Sequence, residues 1–167
     1  MRAAFLISSI TAAVISVTAA AAQDKASSKF LGEAIQGNFA EVAMGELAQK
    51  NAQGQEVKAY GQMLITDHGD ANKRAMEAAR GMGIDPPAGP SAKQKADHDK
   101  MANMTGTAFD RAFAQHMVMD HRKDIAAYQK ASKKRDAAGQ YAQSTLPTLR
   151  KHLENAQSLQ KQTTVRR

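Results

Sequence analysis

The stretch "GMGIDPPAGP", residues 81–90, is the place in this chain where a helix has the least chance of continuing. Gly81 and Gly83 weaken it, and Pro86, Pro87 and Pro90 forbid it. On both sides Ala, Gln, Lys, Met and Leu dominate, and β-branched residues are too thinly spread to support strands. The chain therefore reads as two helical halves around a rigid break. In the first half, one helix is predicted from about Ser28 to Ala52, between "DKASS" and "NAQG", and a second from about Gln55 to Met82. In the second half, Ser91 followed by Gln94 resembles a capping box, so a short polar helix covers about Ser91 to Met104. Asp110, three residues after Thr107, is expected to start a third long helix in the same way, reaching about Lys133. A fourth runs from about Asp136 to Gln162, with Pro147 expected to kink it or delay its start. Two tight connections and one long one predict an all-α antiparallel four-helix bundle, with a short extra helix between long helices two and three.

The opening "MRAAFLISSITAAVISVTAAAAQD" carries one charge at Arg2, an apolar stretch, and small residues at Ala20 and Ala22 before Gln23. That is the pattern of a secretory signal peptide over residues 1–22, leaving 23–167 as one bundle domain; the alternative is an uncleaved membrane anchor, since Ala3 to Ala22 is nearly long enough to span a bilayer. The expected location is the periplasm or the exterior, and the chain is not expected to be integral to a membrane after cleavage. Cleavage lowers the formal charge from +7 to +6. The chain contains no cysteine, so neither disulfides nor a lipid-modified cysteine can contribute, and stability must come from packing. Its lysines, as in "KASKKRD", are scattered without interleaved aromatics. Nucleic acid is therefore not an expected partner; an anionic envelope surface or a second copy of the chain is.

Two segments break the apolar patterning in the same manner. "MLITDHGDAN" and "HMVMDHRKDI" each carry an Asp-His pair, Asp67-His68 and Asp120-His121, behind an apolar run. At about 100° per residue, Val57, Tyr60, Gly61, Leu64, Ala71, Ala75 and Ala79 share an arc of the second helix. His68 falls near the centre of that arc and Asp67 at its edge. The third helix has an arc of Phe109, Phe113, Met117, Tyr128 and Ala131, with Asp120, His121 and Asp124 in or beside it and His116 nearer the edge. In the fourth, His152 lies among Ala142, Thr145, Leu149, Leu153, Ala156 and Leu159. In the first, Asn38 and Glu41 intrude on Leu31, Ala34, Ile35, Val42, Gly45 and Ala48. Every long helix thus offers a ligand-capable side chain to the interior.

Counted from the tight turns, Glu41, His68, His121 and His152 fall at matching heights, with a mismatch within each hairpin of about 4.5 Å. A carboxylate and three imidazoles in one layer suit a divalent transition metal such as zinc, iron or copper. Glu41, His68, Asp120, His121 and His152 are the predicted metal residues. Asp67, Asp120 and Asp124 are expected acceptors for the ring N–H groups. The alternative is a buried His/Asp network that only specifies packing, in a structural or stress-related envelope protein that acts through its surface. His98, flanked by charges in "KADHDK", reads as solvated surface, and Met117 and Met119 as core filler.

There is no Gly-rich phosphate loop, nucleophilic cysteine or Ser-His-Asp order, so hydrolase and nucleotide chemistry have no support. No organic cofactor is expected. The one enzymatic option left open is metal-dependent redox or peroxide chemistry, with Tyr60 and Tyr128 near the site.

The layout "NFAEVAMGELAQKNA", "VKAYGQMLITDHGDAN", "FDRAFAQHMVMDHRKDI" and "LPTLRKHLENAQSL" behind a signal peptide resembles the bacterial exported domain of unknown function numbered 4142. Its members are often labelled outer membrane proteins. The resemblance spans about Ser28 to Leu159 and implies a ferritin-like four-helix bundle. It also implies that the family's Asp-His pairs fall on Asp67-His68 and Asp120-His121, its first-helix Asn and Glu on Asn38 and Glu41, and its last-helix His on His152. No activity comes with it. The Glu-x-x-His motifs of di-iron bundles are missing here, so a single-ion site fits better than a ferroxidase.

Overall fold

The computed structural model describes residues 12–165, with side chains from residue 25 onward. Those residues form five helices and no strand: α1 (Ala12–Asn51), α2 (Gln55–Gly81), α3 (Ala92–Ala102), α4 (Gly106–Ala131) and α5 (Ala137–Val165). The helices pack on one another as a bundle, α1 chiefly on α2 and α4 chiefly on α5, with α2 against α5 closing the two pairs together. None of the described helices is long and apolar enough to cross a membrane. Of the signal expected over residues 1–22, the first eleven lie outside the described residues.

The described part of α1 already covers Ala12, sixteen residues before the expected start near Ser28. The segment 12–27 is rich in Ala but carries no apolar stripe. Helix propensity supports it, and periodicity gave no signal there. The Ser91/Gln94 capping box forms as expected, with Gln94 N donating to Ser91 Oγ at 3.3 Å and Ser91 N to Gln94 Oε1 at 2.8 Å. Asp136 caps α5 by accepting from Gly139 N at 2.9 Å. Pro147 lies inside α5 and the helix continues past it, so it neither delays nor ends the helix.

Asp110 does not start α4, whose N-cap is Thr105. Its carboxylate accepts instead from Gln53 N at 3.1 Å and Gly54 N at 2.8 Å, satisfying the turn between α1 and α2 from across the bundle. The first pair of helices approaches closely at Gly45 and Gly61. A Cβ at Gly45 would stand 2.5 Å from the Gly61 carbonyl oxygen, and one at Gly61 would stand 2.8 Å from Ala48 Cβ.

The apolar interior falls into two clusters. One, toward the α1–α2 turn, holds Met44, Leu64, Phe109, Phe113 and Met117; the other holds Leu31, Ile35, Tyr128, Tyr141 and Leu149. The expected faces hold except at Val42 and Leu153, which are half-buried, while Met44 and Leu47 take core positions on α1. Met117 is core, but Met119 is 57% exposed and fills nothing. Between the clusters, on every long helix, lies a band of buried polar residues: Asn38 and Glu41 on α1, His68 on α2, His121 on α4, Thr145 and His152 on α5. An apolar band would avoid the desolvation that this one incurs.

Candidate metal centre

The three histidines of the band meet. His68, His121 and His152 are each at most 3% exposed, and one ring nitrogen from each lies within 4.8 Å of the other two. Ring centroids stand 5.7 Å apart for His68 and His121, 5.2 Å for His68 and His152, and 5.3 Å for His121 and His152.

The outward nitrogen of every ring faces an acceptor. His68 Nδ1 lies 3.0 Å from Asn38 Oδ1, and the Asn38 amide donates from Nδ2 to the Tyr141 hydroxyl at 3.0 Å, which leaves Oδ1 to accept. His121 Nδ1 donates to the Met117 carbonyl at 3.0 Å. His152 Nε2 donates to Asp67 Oδ2 at 2.8 Å. With each proton fixed on the outside, the nitrogens left over are His68 Nε2, His121 Nε2 and His152 Nδ1, all presenting lone pairs. His68 Nε2 has no hydrogen-bond partner. His121 Nε2 and His152 Nδ1 are 3.3 Å apart.

Protonation does not relieve this. Burial pushes the His68 and His121 imidazoles below their ordinary range, His121 to about 4, and the neighbouring rings push both further down. Burial also lowers His152, although the Asp67 carboxylate opposes it. Three neutral imidazoles with convergent lone pairs, each held by an acceptor behind it, form a donor set that can hold a metal ion.

Glu41 and Asp120, expected among the ligands, occupy a different side of His121. Glu41 Oε1 is 3.9 Å from His121 Nδ1, the nitrogen bonded to Met117, and Glu41 Oε2 has no partner. Burial and the Asp120 and Asp124 carboxylates raise the Glu41 carboxyl well above its usual range. Burial, reinforced by Asp120, carries Asp124 to about 7. Of the three aspartates expected behind the rings, Asp67 accepts from a histidine; the acceptors behind the other two rings are Asn38 and a main-chain carbonyl. Asn38 falls on the buried face that periodicity predicts, but its partner across the bundle carries no mark in the sequence.

Tyr60 adjoins the triad, its ring 6.5 Å from His121 and 6.3 Å from His152, and its hydroxyl donates to the His152 carbonyl at 3.2 Å. Tyr128 reaches the site only through Tyr141, 3.1 Å from hydroxyl to hydroxyl. His116 is half-buried outside the triad, and His98 sits on α3 with Asp99, 3.3 Å away. A cleft of about 130 Å³ between α2 and α5 reaches His68 and His152, with Asp67, Arg74 and Thr148 on its walls.

No curated protein and no solved structure matches the chain. A family model described as "Domain of unknown function (DUF4142)" matches residues 12–159, nearly the whole chain. The chain belongs to that family.

Proposed function

We propose that this protein is an exported, ferritin-like, antiparallel four-helix bundle that holds one divalent transition metal on His68, His121 and His152, in the periplasm or outside the cell. The observation that carries the reading is the proton arrangement: three outward nitrogens donate to Asn38, Met117 and Asp67, so three inward nitrogens offer lone pairs to one point. The separation of one pair agrees with it, while the set as a whole, within 4.8 Å, would draw in on binding. Two nitrogens at about 2.0–2.1 Å from a tetrahedral zinc stand about 3.3 Å apart, and His121 Nε2 and His152 Nδ1 are separated by 3.3 Å. Bound there, the ion would supply Lewis acidity, and the cleft beside Asp67 and Arg74 would give a small ligand its approach.

The test is to load purified, tag-free protein with zinc, copper or iron salts, desalt it and measure metal by mass spectrometry, alongside a His68→Ala/His152→Ala variant. About one equivalent retained by the parent and lost in the variant is expected. No retained metal overturns the reading and leaves the rings as a packing device. On that second view His68→Leu keeps or raises stability, because it removes an unsatisfied buried nitrogen.

A further inference from the structure

The three rings of the triad are not held by partners of one kind. His121 Nδ1 faces the Met117 carbonyl and His152 Nε2 faces the Asp67 carboxylate, groups that only accept. Each of these partners fixes the proton on the ring nitrogen before it. His68 Nδ1 faces the Asn38 side chain, an amide with an acceptor at one end and a donor at the other. The two ends are nearly the same size, so packing does not choose between them. Turned over, the amide would donate to His68 Nδ1 and the ring proton would move to Nε2. His68 would then point an N–H, not a lone pair, at the other two rings. The metal-free triad even favours that reversal, because His68 Nε2 has no partner, and a proton on it would face two acceptor nitrogens within 4.8 Å. A group outside the triad must hold the amide as it is.

That group is the Tyr141 hydroxyl. Asn38 Nδ2 donates to it at 3.0 Å across 103 residues of sequence, and Asn38, His68 and Tyr141, from α1, α2 and α5, are all buried. A hydroxyl both donates and accepts, so it orients the amide only when its own proton is directed elsewhere. Two other oxygens adjoin it, the Tyr128 hydroxyl at 3.1 Å and the Thr145 hydroxyl. Thr145 Oγ1 donates its proton to the Tyr141 carbonyl at 2.8 Å, which leaves that oxygen as an acceptor. With its proton turned to either neighbour, Tyr141 offers Asn38 a lone pair. Its ring packs beside Phe30 and Tyr128, with centroids 6.4 Å and 5.8 Å away, so the hydroxyl is held in place.

We infer that Tyr141 is a positioning residue of the triad: its hydroxyl holds the Asn38 amide with Oδ1 toward His68, which keeps the His68 proton on Nδ1 and the Nε2 lone pair turned inward. Tyr141 acts through Asn38 and not on the ion. The purpose of the arrangement rests on the metal reading, but the proton position that it specifies exists without metal.

The experiment is a long-range proton–nitrogen correlation spectrum of the isotope-labelled, chelator-treated full chain at neutral pH, which separates protonated from unprotonated imidazole nitrogens. The His68 signals are assigned by their loss in His68→Gln. In the parent the His68 proton is expected on Nδ1. Tyr141→Phe keeps the ring and removes the hydroxyl, and there the proton is expected on Nε2. Zinc affinity, measured by competition with a chromophoric chelator, is expected to fall at least about tenfold, because His68 must give up that proton to bind. Asn38→Asp replaces the amide by a group that only accepts, so adding Tyr141→Phe to it is expected to leave the proton on Nδ1. Circular dichroism checks the helix content of each variant, and the parent spectrum depends on neither substitution. A His68 proton on Nε2 in the parent overturns the inference. So does a proton that stays on Nδ1 in Tyr141→Phe, even if zinc affinity falls, since the hydroxyl would then act through packing alone. The protons are read without metal, so a parent that retains no zinc overturns the metal reading and leaves this one standing. A misplaced proton overturns this one, while metal retention still decides the other.

Discussion

Asp67 Oδ2 lies 2.8 Å from His152 Nε2, a bond from the edge of α2 to the middle of α5 that turns the other nitrogen of His152 inward. Asp67→Asn keeps the shape but gives up the negative charge that makes the imidazole a stronger donor. Metal affinity, measured by competition with a chromophoric chelator, should fall about 10–100-fold with helix content unchanged. An unaltered affinity would mean that the ring is oriented by packing alone.

Asp110 satisfies Gln53 N and Gly54 N from a helix remote in sequence. In Asp110→Ala the buried Gly54 amide has no acceptor left, and chemical denaturation should show a loss of about 1–3 kcal/mol. Metal retention by the folded fraction should be unaffected, since the turn is distant from the triad.

Two glycines of the first helix pair make opposite predictions for the same substitution. Gly45→Ala forces a Cβ to 2.5 Å from the Gly61 carbonyl, so α1 and α2 must separate. A net loss of about 1–3 kcal/mol is expected despite the better helix propensity of alanine. Gly69, also within α2, has nothing within 4 Å of its Cβ position. Gly69→Ala should therefore raise stability by up to about 1 kcal/mol. Thermal melts of the two variants check both, and equal shifts would contradict the close approach.

Burial and Asp120 raise the carboxyl of Asp124 from an ordinary 3.8 to about 7 in the folded protein. A group whose pKa rises on folding contributes stability below 3.8, and that contribution is lost as pH climbs through about 7. In metal-free buffer, Asp124→Asn should therefore melt higher than the parent at pH about 8, and the margin should narrow steadily toward pH about 4. His121 has the opposite sign: burial lowers it from 6.5 to about 4, so its contribution is present above 6.5 and lost as pH falls toward 4. That acid-side loss should persist in the Asp124→Asn variant, and its disappearance would contradict the burial of a neutral ring.

The parts of this structure that were legible in the sequence are those governed by local repetition. On α2 the arc from Val57 to Ala79 is buried residue for residue, because a 3.6-residue period in apolar positions has one physical outcome. Counting from the turns placed the three histidines in one layer for the same reason. What escaped depends on contacts between helices. Asp110 resembled a local cap, but its partners are 57 and 56 residues away. Height and face placed Glu41 beside His121 but said nothing about which ring nitrogen it would approach, and it approaches the outward one. The beginning of α1 escaped because it has no stripe to read.

His68 comes from the α1/α2 pair, whereas His121 and His152 come from the α4/α5 pair. Each pair can assemble from contacts near in sequence, but the three rings converge only after the pairs dock, a step that must close long loops. An ion shared among the rings would thus be a clasp between two folding units. It would slow their separation far more than their formation, and its escape would keep time with the opening of the bundle.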